Sequence, residues 1–158
     1  MRRLLIVWHS QFGGTAQMAD AARKGAIDAG GVEVVMKHAQ QAGVDDLLAC
    51  DALLVATSEN FGSLSGMTKD FFERVFYPCE HAVEGRPYTV IVCAGTDGSG
   101  AMLQVDRIAS GLSLRKVLPG VVWKSGVTAQ PQRVPPHVLD QCRDTGATLA
   151  AGLSVGIY

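Results

Sequence analysis

Five short apolar runs rich in β-branched residues, separated by stretches of helical periodicity, constrain this chain more than any other feature. They are Leu4 to Trp8, Val32 to Met36, Ala52 to Ala56, Tyr88 to Ala94 and Val121 to Trp123. Runs of this length and character predict strands of a parallel sheet buried on both faces. Between them, Ala19, Ala22, Ala26 and Ala29 recur at helical spacing, as do Met102, Val105, Ala109 and Leu112, then Leu139, Cys142, Gly146, Leu149 and Leu153. Each set makes one apolar stripe. Another helix is expected from about Met67, with Phe71, Phe72, Val75 and Phe76 in the core. The order βαβαβαβαβα predicts an α/β fold, an open parallel sheet with helices on both faces and right-handed crossovers. The all-alanine stripe of the first helix predicts a helix lying close against the sheet, its amino end aimed by that packing.

At 158 residues the chain suits one domain without a linker, large enough to bury roughly 70% of its unfolded surface. A hydrophobic fraction of 47% against 18% charged is globular rather than disordered. The net charge of −1 offers neither a basic stripe for nucleic acid nor a strongly acidic field for steering a basic protein. Arg2 and Arg3 precede the first apolar run, which His9, Ser10 and Gln11 stop far short of the ~20 residues of a membrane span, so neither a span nor a signal peptide is expected. Cys50, Cys79, Cys93 and Cys142 form no C-x-x-C pair and fit reduced thiols in the cytoplasm. The four histidines, His9, His38, His81 and His137, lack metal-ligand spacing, so no metal is expected.

Three loops leave the carboxyl ends of predicted strands and should converge on one crevice. The first, Ser10-Gln11-Phe12-Gly13-Gly14-Thr15, opens a helix. Two glycines that let amides approach an anion, two hydroxyls and a positive helix end suit a phosphate; an ordinary strand-to-helix turn capped by Thr15 is the competing reading. The second, Thr57 to Gly66, exceeds the usual ~2–6 residues of a βα connection. It sets Phe61 beside Gly62, and we expect Phe61 to wall the crevice. Glu59 suits either a ring or ribose contact or solvation. The third loop, Gly95-Thr96-Asp97-Gly98-Ser99-Gly100, is not the dinucleotide fingerprint; its glycines would let main chain meet the edge of a flat ring.

FMN, a flat ring with a phosphate tail, would use all three loops. The same residues resemble a known group, the flavodoxin-like NAD(P)H-dependent FMN reductases and NAD(P)H:quinone oxidoreductases. The likeness runs in order through Ser10-x-x-Gly13-x-Thr15, then Ala56-Thr57-x-x-x-Phe61-Gly62-x-x-Ser65-Gly66 with Lys69-Asp70-Phe71-Phe72-Glu73-Arg74, then Ala94-Gly95-Thr96-Asp97-Gly98. It implies a doubly wound five-stranded sheet of order 2-1-3-4-5. It also implies FMN held at its phosphate by Ser10, Gln11, Phe12, Gly13, Gly14 and Thr15. Ser58, Glu59, Asn60, Phe61, Gly62, Ala94, Gly95, Thr96, Asp97 and Gly98 would surround the isoalloxazine. Ser58 stands where the quinone reductases carry proline and Asn60 where they often carry arginine. The segment that helps those enzymes form tetramers is missing; Trp123 and the apolar last helix admit a homodimer.

The resemblance implies hydride transfer from NAD(P)H through FMN to a quinone or similar small acceptor, with no catalytic side chain required. The alternative is a flavodoxin-type electron carrier between proteins, against which the near-neutral charge argues. A phospho-receiver domain would need carboxylates where His9-Ser10 and Thr57-Ser58 stand. Gly152-Leu153-Ser154-Val155-Gly156 spells G-x-S-x-G, but a nucleophile elbow needs a strand before the serine, and this copy ends an apolar helical stretch.

Overall fold

The computed structural model describes residues 1–126 and 131–158. In chain order it contains β1 (Arg2–Trp8), α1 (Gly14–Ala29), β2 (Val32–His38), α2 (Val44–Ala49), β3 (Ala52–Asn60), β4 (Ser63–Leu64) and α3 (Gly66–Cys79). Then follow β5 (Pro87–Ala94), α4 (Ser99–Gly111), β6 (Arg115–Lys116), β7 (Val121–Lys124) and α5 (Pro136–Val155).

Strands β2, β1, β3 and β5 pair in parallel in that order, and the place beyond β5 is shared: β6 pairs its start and β7 its end. With β6 and β7 as one broken edge strand, the order is the expected 2-1-3-4-5. Successive strand residues point to opposite faces. Leu5, Val7, Leu53, Val55, Val90 and Val92 meet Leu47 of α2, Phe71, Phe72 and Val75 of α3, and Val105 of α4. Leu4, Ile6, Leu54, Ala56 and Ile91 meet Met18, Ala19, Ala22 and Ala26 of α1 and Leu149 and Leu153 of α5. Both faces are dry, which is why the strands read as unbroken apolar runs.

Three expectations change. The long second loop is largely strand: β3 continues to Asn60, turns at Phe61-Gly62 and returns as antiparallel β4, with Glu59 opposite Leu64 and Asn60 opposite Ser63. Both turn residues are left-handed, φ 54° and 70°, the arrangement whose twist matches a two-residue hairpin. A second change concerns α1, whose small stripe permits an approach to α5 as well as to the sheet. Gly25 lies on the backbone of Arg143, and Gly146 on that of Ala22. Finally, α2 occupies only six residues, a helix to which the sequence pattern assigned no position.

Candidate functional site

Because all principal strands run in parallel, their carboxyl ends bring the three loops together. They form an inner crevice of about 160 Å³, lined by Ser10, Gln11, Phe12, Thr15, Ser58, Glu59, Asn60, Ala94 and Gly95. Four further residues line it that sequence reasoning did not single out for the site: Cys93, the last but one residue of β5, Ser125 and Gly126 just after β7, and Gln132 before α5. Nothing in the local sequence signals these last three, because the pairing of β7 with the end of β5 brings Ser125 and Gly126 to the crevice, and hydrogen bonds to Phe12, Gly14 and Gln17 bring Gln132. Gly13, Gly14, Phe61, Gly62, Thr96, Asp97 and Gly98 do not line it.

The amino end of α1 forms one wall. Gly13, at φ 91°, is its N-cap and makes no side-chain cap; Thr15 is not the cap but a first-turn residue, 1% exposed. Ser10 Oγ accepts from Gly13 N at 3.0 Å, and the Gln132 side-chain oxygen accepts from Gly14 N at 3.1 Å. Among the described residues no protein acceptor serves the N–H groups of Thr15 and Ala16, whose donors the first turn of any helix leaves free. Gln132 ties the wall down further: its N donates to Phe12 O, its carbonyl accepts from Gln17 Nε2, and its Nε2 donates to Ser125 Oγ.

The opposite wall is the β3–β4 hairpin. Glu59 uses its carboxylate on α4, accepting from Gly98 N and Ala101 N at 2.9 Å each; it anchors the hairpin rather than being solvated. Gly98 is left-handed, and a β-carbon there would strike Val122, so this glycine serves packing against β7. Phe61 stands fully exposed at the hairpin tip and walls a separate outer groove with His9, Gln40 and Met67. Its expected place in the inner crevice is corrected, because the two-residue turn swings it outward.

Among the described residues, the buried hydroxyls Thr15 Oγ1 and Ser58 Oγ have no hydrogen-bond partner, and both residues line the inner crevice. An unpaired buried hydroxyl costs about 1–3 kcal/mol, so two in one cavity beside an open helix end suit a polar, anionic ligand. Burial pushes the Cys93 thiol up to about 11, which leaves it neutral and inert as a nucleophile. Ser154 lies inside α5 and bonds the Ala151 carbonyl, so its G-x-S-x-G context is helical. Among the described residues no cluster of three or more His, Cys, Asp or Glu could hold a metal, and no helix is long and apolar enough to cross a membrane.

Comparison with known proteins agrees with this architecture. The chain is 31% identical over 100 residues to a flavodoxin of Aquifex aeolicus, covering 63% of this chain and 52% of that one. It is 28% identical over 94 residues to an NAD(P)H dehydrogenase (quinone) of Acidithiobacillus ferrooxidans, covering 47% of each. The matches thus span about half the length of these curated relatives. A flavodoxin structure from Streptococcus pneumonia TIGR4 shares the fold with a TM-score of 0.76 at 22% identity, covering 94% of this chain and 98% of that one. Residues 13–128 match the family model described as NADPH-dependent FMN reductase. With most of its length inside that match, the chain belongs to the NADPH-dependent FMN reductase family.

Proposed function

We propose that the chain is an oxidoreductase that holds FMN in the inner crevice and passes reducing equivalents from NAD(P)H to a quinone or similar small acceptor. The observation that carries this reading is a pair of buried hydroxyls, Thr15 Oγ1 and Ser58 Oγ, with no partner among the described residues, in the crevice beside the open end of α1. The phosphate would lie against the Thr15 and Ala16 amides, with Ser10, Gln11, Phe12, Gly13 and Gly14 around it and the helix dipole supplying the positive potential. Ser58, Glu59 and Asn60 on one wall, and Ala94 and Gly95 on the other, would offer main-chain groups to the ring edges. Phe61, Gly62, Thr96, Asp97 and Gly98 would then act by shaping those walls.

When bound, FMN supplies the hydride chemistry; the protein contributes binding, orientation and exclusion of water. Phe12, 37% exposed at the crevice, borders the side open to a nicotinamide or an acceptor ring. Four unpaired buried thiols support a reducing, cytoplasmic setting. Titration calorimetry with FMN tests the binding, and NADPH oxidation with FMN and a quinone tests the reaction. Heat on FMN addition and turnover above the free-flavin background are expected; absence of FMN binding refutes the reading. The similarity to a flavodoxin favours one second reading, a carrier passing electrons between proteins. It predicts FMN binding with no NADPH oxidation.

A further inference from the structure

Building on the oxidoreductase reading, we infer that His9 is the proton-exchange residue of the acceptor site, presenting Nε2 to the outer groove. That groove, walled by His9, Gln40, Phe61, Met67 and Asp70, shares Gln11 and Asn60 with the inner crevice. The two spaces therefore adjoin.

The state of His9 follows from a count of protons. Behind it, Thr57, Ser65 and Thr68 are fully buried. Ser65 Oγ lies 2.8 Å from both His9 Nδ1 and Thr68 Oγ1; Thr68 Oγ1 donates to Thr57 Oγ1 at 3.1 Å, and Thr57 Oγ1 to the Ser58 carbonyl at 3.0 Å. A hydroxyl has one proton and a carbonyl none. Thr57 therefore donates to the carbonyl, Thr68 to Thr57 and Ser65 to Thr68, and the last contact forms only if His9 Nδ1–H donates to Ser65. Reversing that contact would leave three hydroxyl protons for four contacts, one of which would then go without. Sending the Thr57 proton to Ser65, 3.3 Å away, changes nothing for His9. In the neutral ring Nε2 is then a bare lone pair, with no partner among the described residues.

His38 of β2 faces the ring, with ring centroids 5.4 Å apart, and Asp70 of α3, paired with Arg74 at 2.8 Å, lines the same groove. Burial, and then His38, hold His9 below the usual histidine range. Its imidazolium is accordingly a stronger acid than a free histidine, and Nε2 is where that acid proton sits.

Reduction of a quinone to a hydroquinone consumes one hydride and one proton. When bound, reduced flavin would supply the hydride pair; His9 Nε2 would give its proton to a quinone oxygen and regain one from water. Ferricyanide takes one electron and no proton, so it separates the two roles. With FMN-loaded protein reduced by dithionite, His9→Gln should slow 1,4-benzoquinone reduction roughly 100-fold, the scale of general acid catalysis. Ferricyanide reduction should stay unchanged. Quinone turnover should fall as pH rises through the His9 pKa, and the variant should lose that limb. Nitrogen-15 NMR of the flavin-free protein should find the Nδ1–H tautomer. An Nε2–H tautomer, equal losses with both acceptors, or unchanged quinone turnover would overturn the inference. Quinone reduction that works with dithionite but not with NADPH would refute the nicotinamide donor and leave the histidine standing.

Discussion

Gly146→Ala would force a methyl group into the α1–α5 contact. A β-carbon at Gly146 would lie 2.6 Å from the Ala22 carbonyl carbon and 2.9 Å from its Cα, with the carbonyl oxygen nearer still. Carbon atoms pack at about 3.5–4.0 Å, so the helices must part by roughly 1 Å, and backbone cannot rotate away as a side chain can. Overpacking costs about 1–3 kcal/mol, occasionally more, while replacing glycine within a helix returns up to ~1 kcal/mol. With the obstacle on main chain, the upper part of the range applies and the net loss is about 2 kcal/mol. For a domain of this size that lowers Tm by roughly 4–8 °C. Gly25→Ala meets the Arg143 carbonyl carbon at 2.7 Å and should cost about as much. Once one methyl has parted the helices the second meets less resistance, so the double variant should lose less than the sum. Gly66→Ala is the control, because nothing lies within 4 Å of its β-carbon. Calorimetric melting of the three single variants decides the matter. If Gly146→Ala and Gly25→Ala melt with the wild type, the close-packing argument is wrong.

Thr15→Val should leave the flavin-free protein as stable or slightly more so, since the hydroxyl has no partner there, yet weaken FMN binding by ~1.5–3 kcal/mol, a loss of roughly 10- to 100-fold; unaltered calorimetric affinity would count against the proposed phosphate position. Glu59→Ala removes an acceptor of two backbone N–H groups at the start of α4 and should cost about 1–3 kcal/mol in urea unfolding, with an unchanged midpoint refuting the anchoring role. Burial raises the thiols of Cys50 and Cys93 to about 11 and that of Cys142 to about 12, from an ordinary 9.0. In alkali the unfolded chain loses those protons first, so stability present below pH 9 should be lost as pH rises from there through 11–12; urea midpoints at pH 8, 9 and 10 check this, and a flat profile contradicts it.

The sequence alone determined the layers of this protein. Strands buried on both faces must be apolar throughout, and helices covering them must carry one stripe, so Leu4 to Trp8 and Tyr88 to Ala94 announce themselves without knowledge of their partners. The same logic located the first loop, whose glycines and hydroxyls abut a helix start. Legibility ended where a feature depends on residues far away in the chain. Helix α2 is too short to show periodicity; Arg86 holds its end by donating to the carbonyls of Leu47, Leu48 and Cys50. Glu59 of the hairpin is held by amides at the start of α4, 39 and 42 positions on, and Gln132 reaches Gly14 across 118 positions. His9 reads as one of four unremarkable histidines until the fold sets it against Ser65, 56 positions on. Periodicity reports the solvent on either side of an element, which is local information; who accepts a given proton is a property of space, and only the tertiary structure decided it.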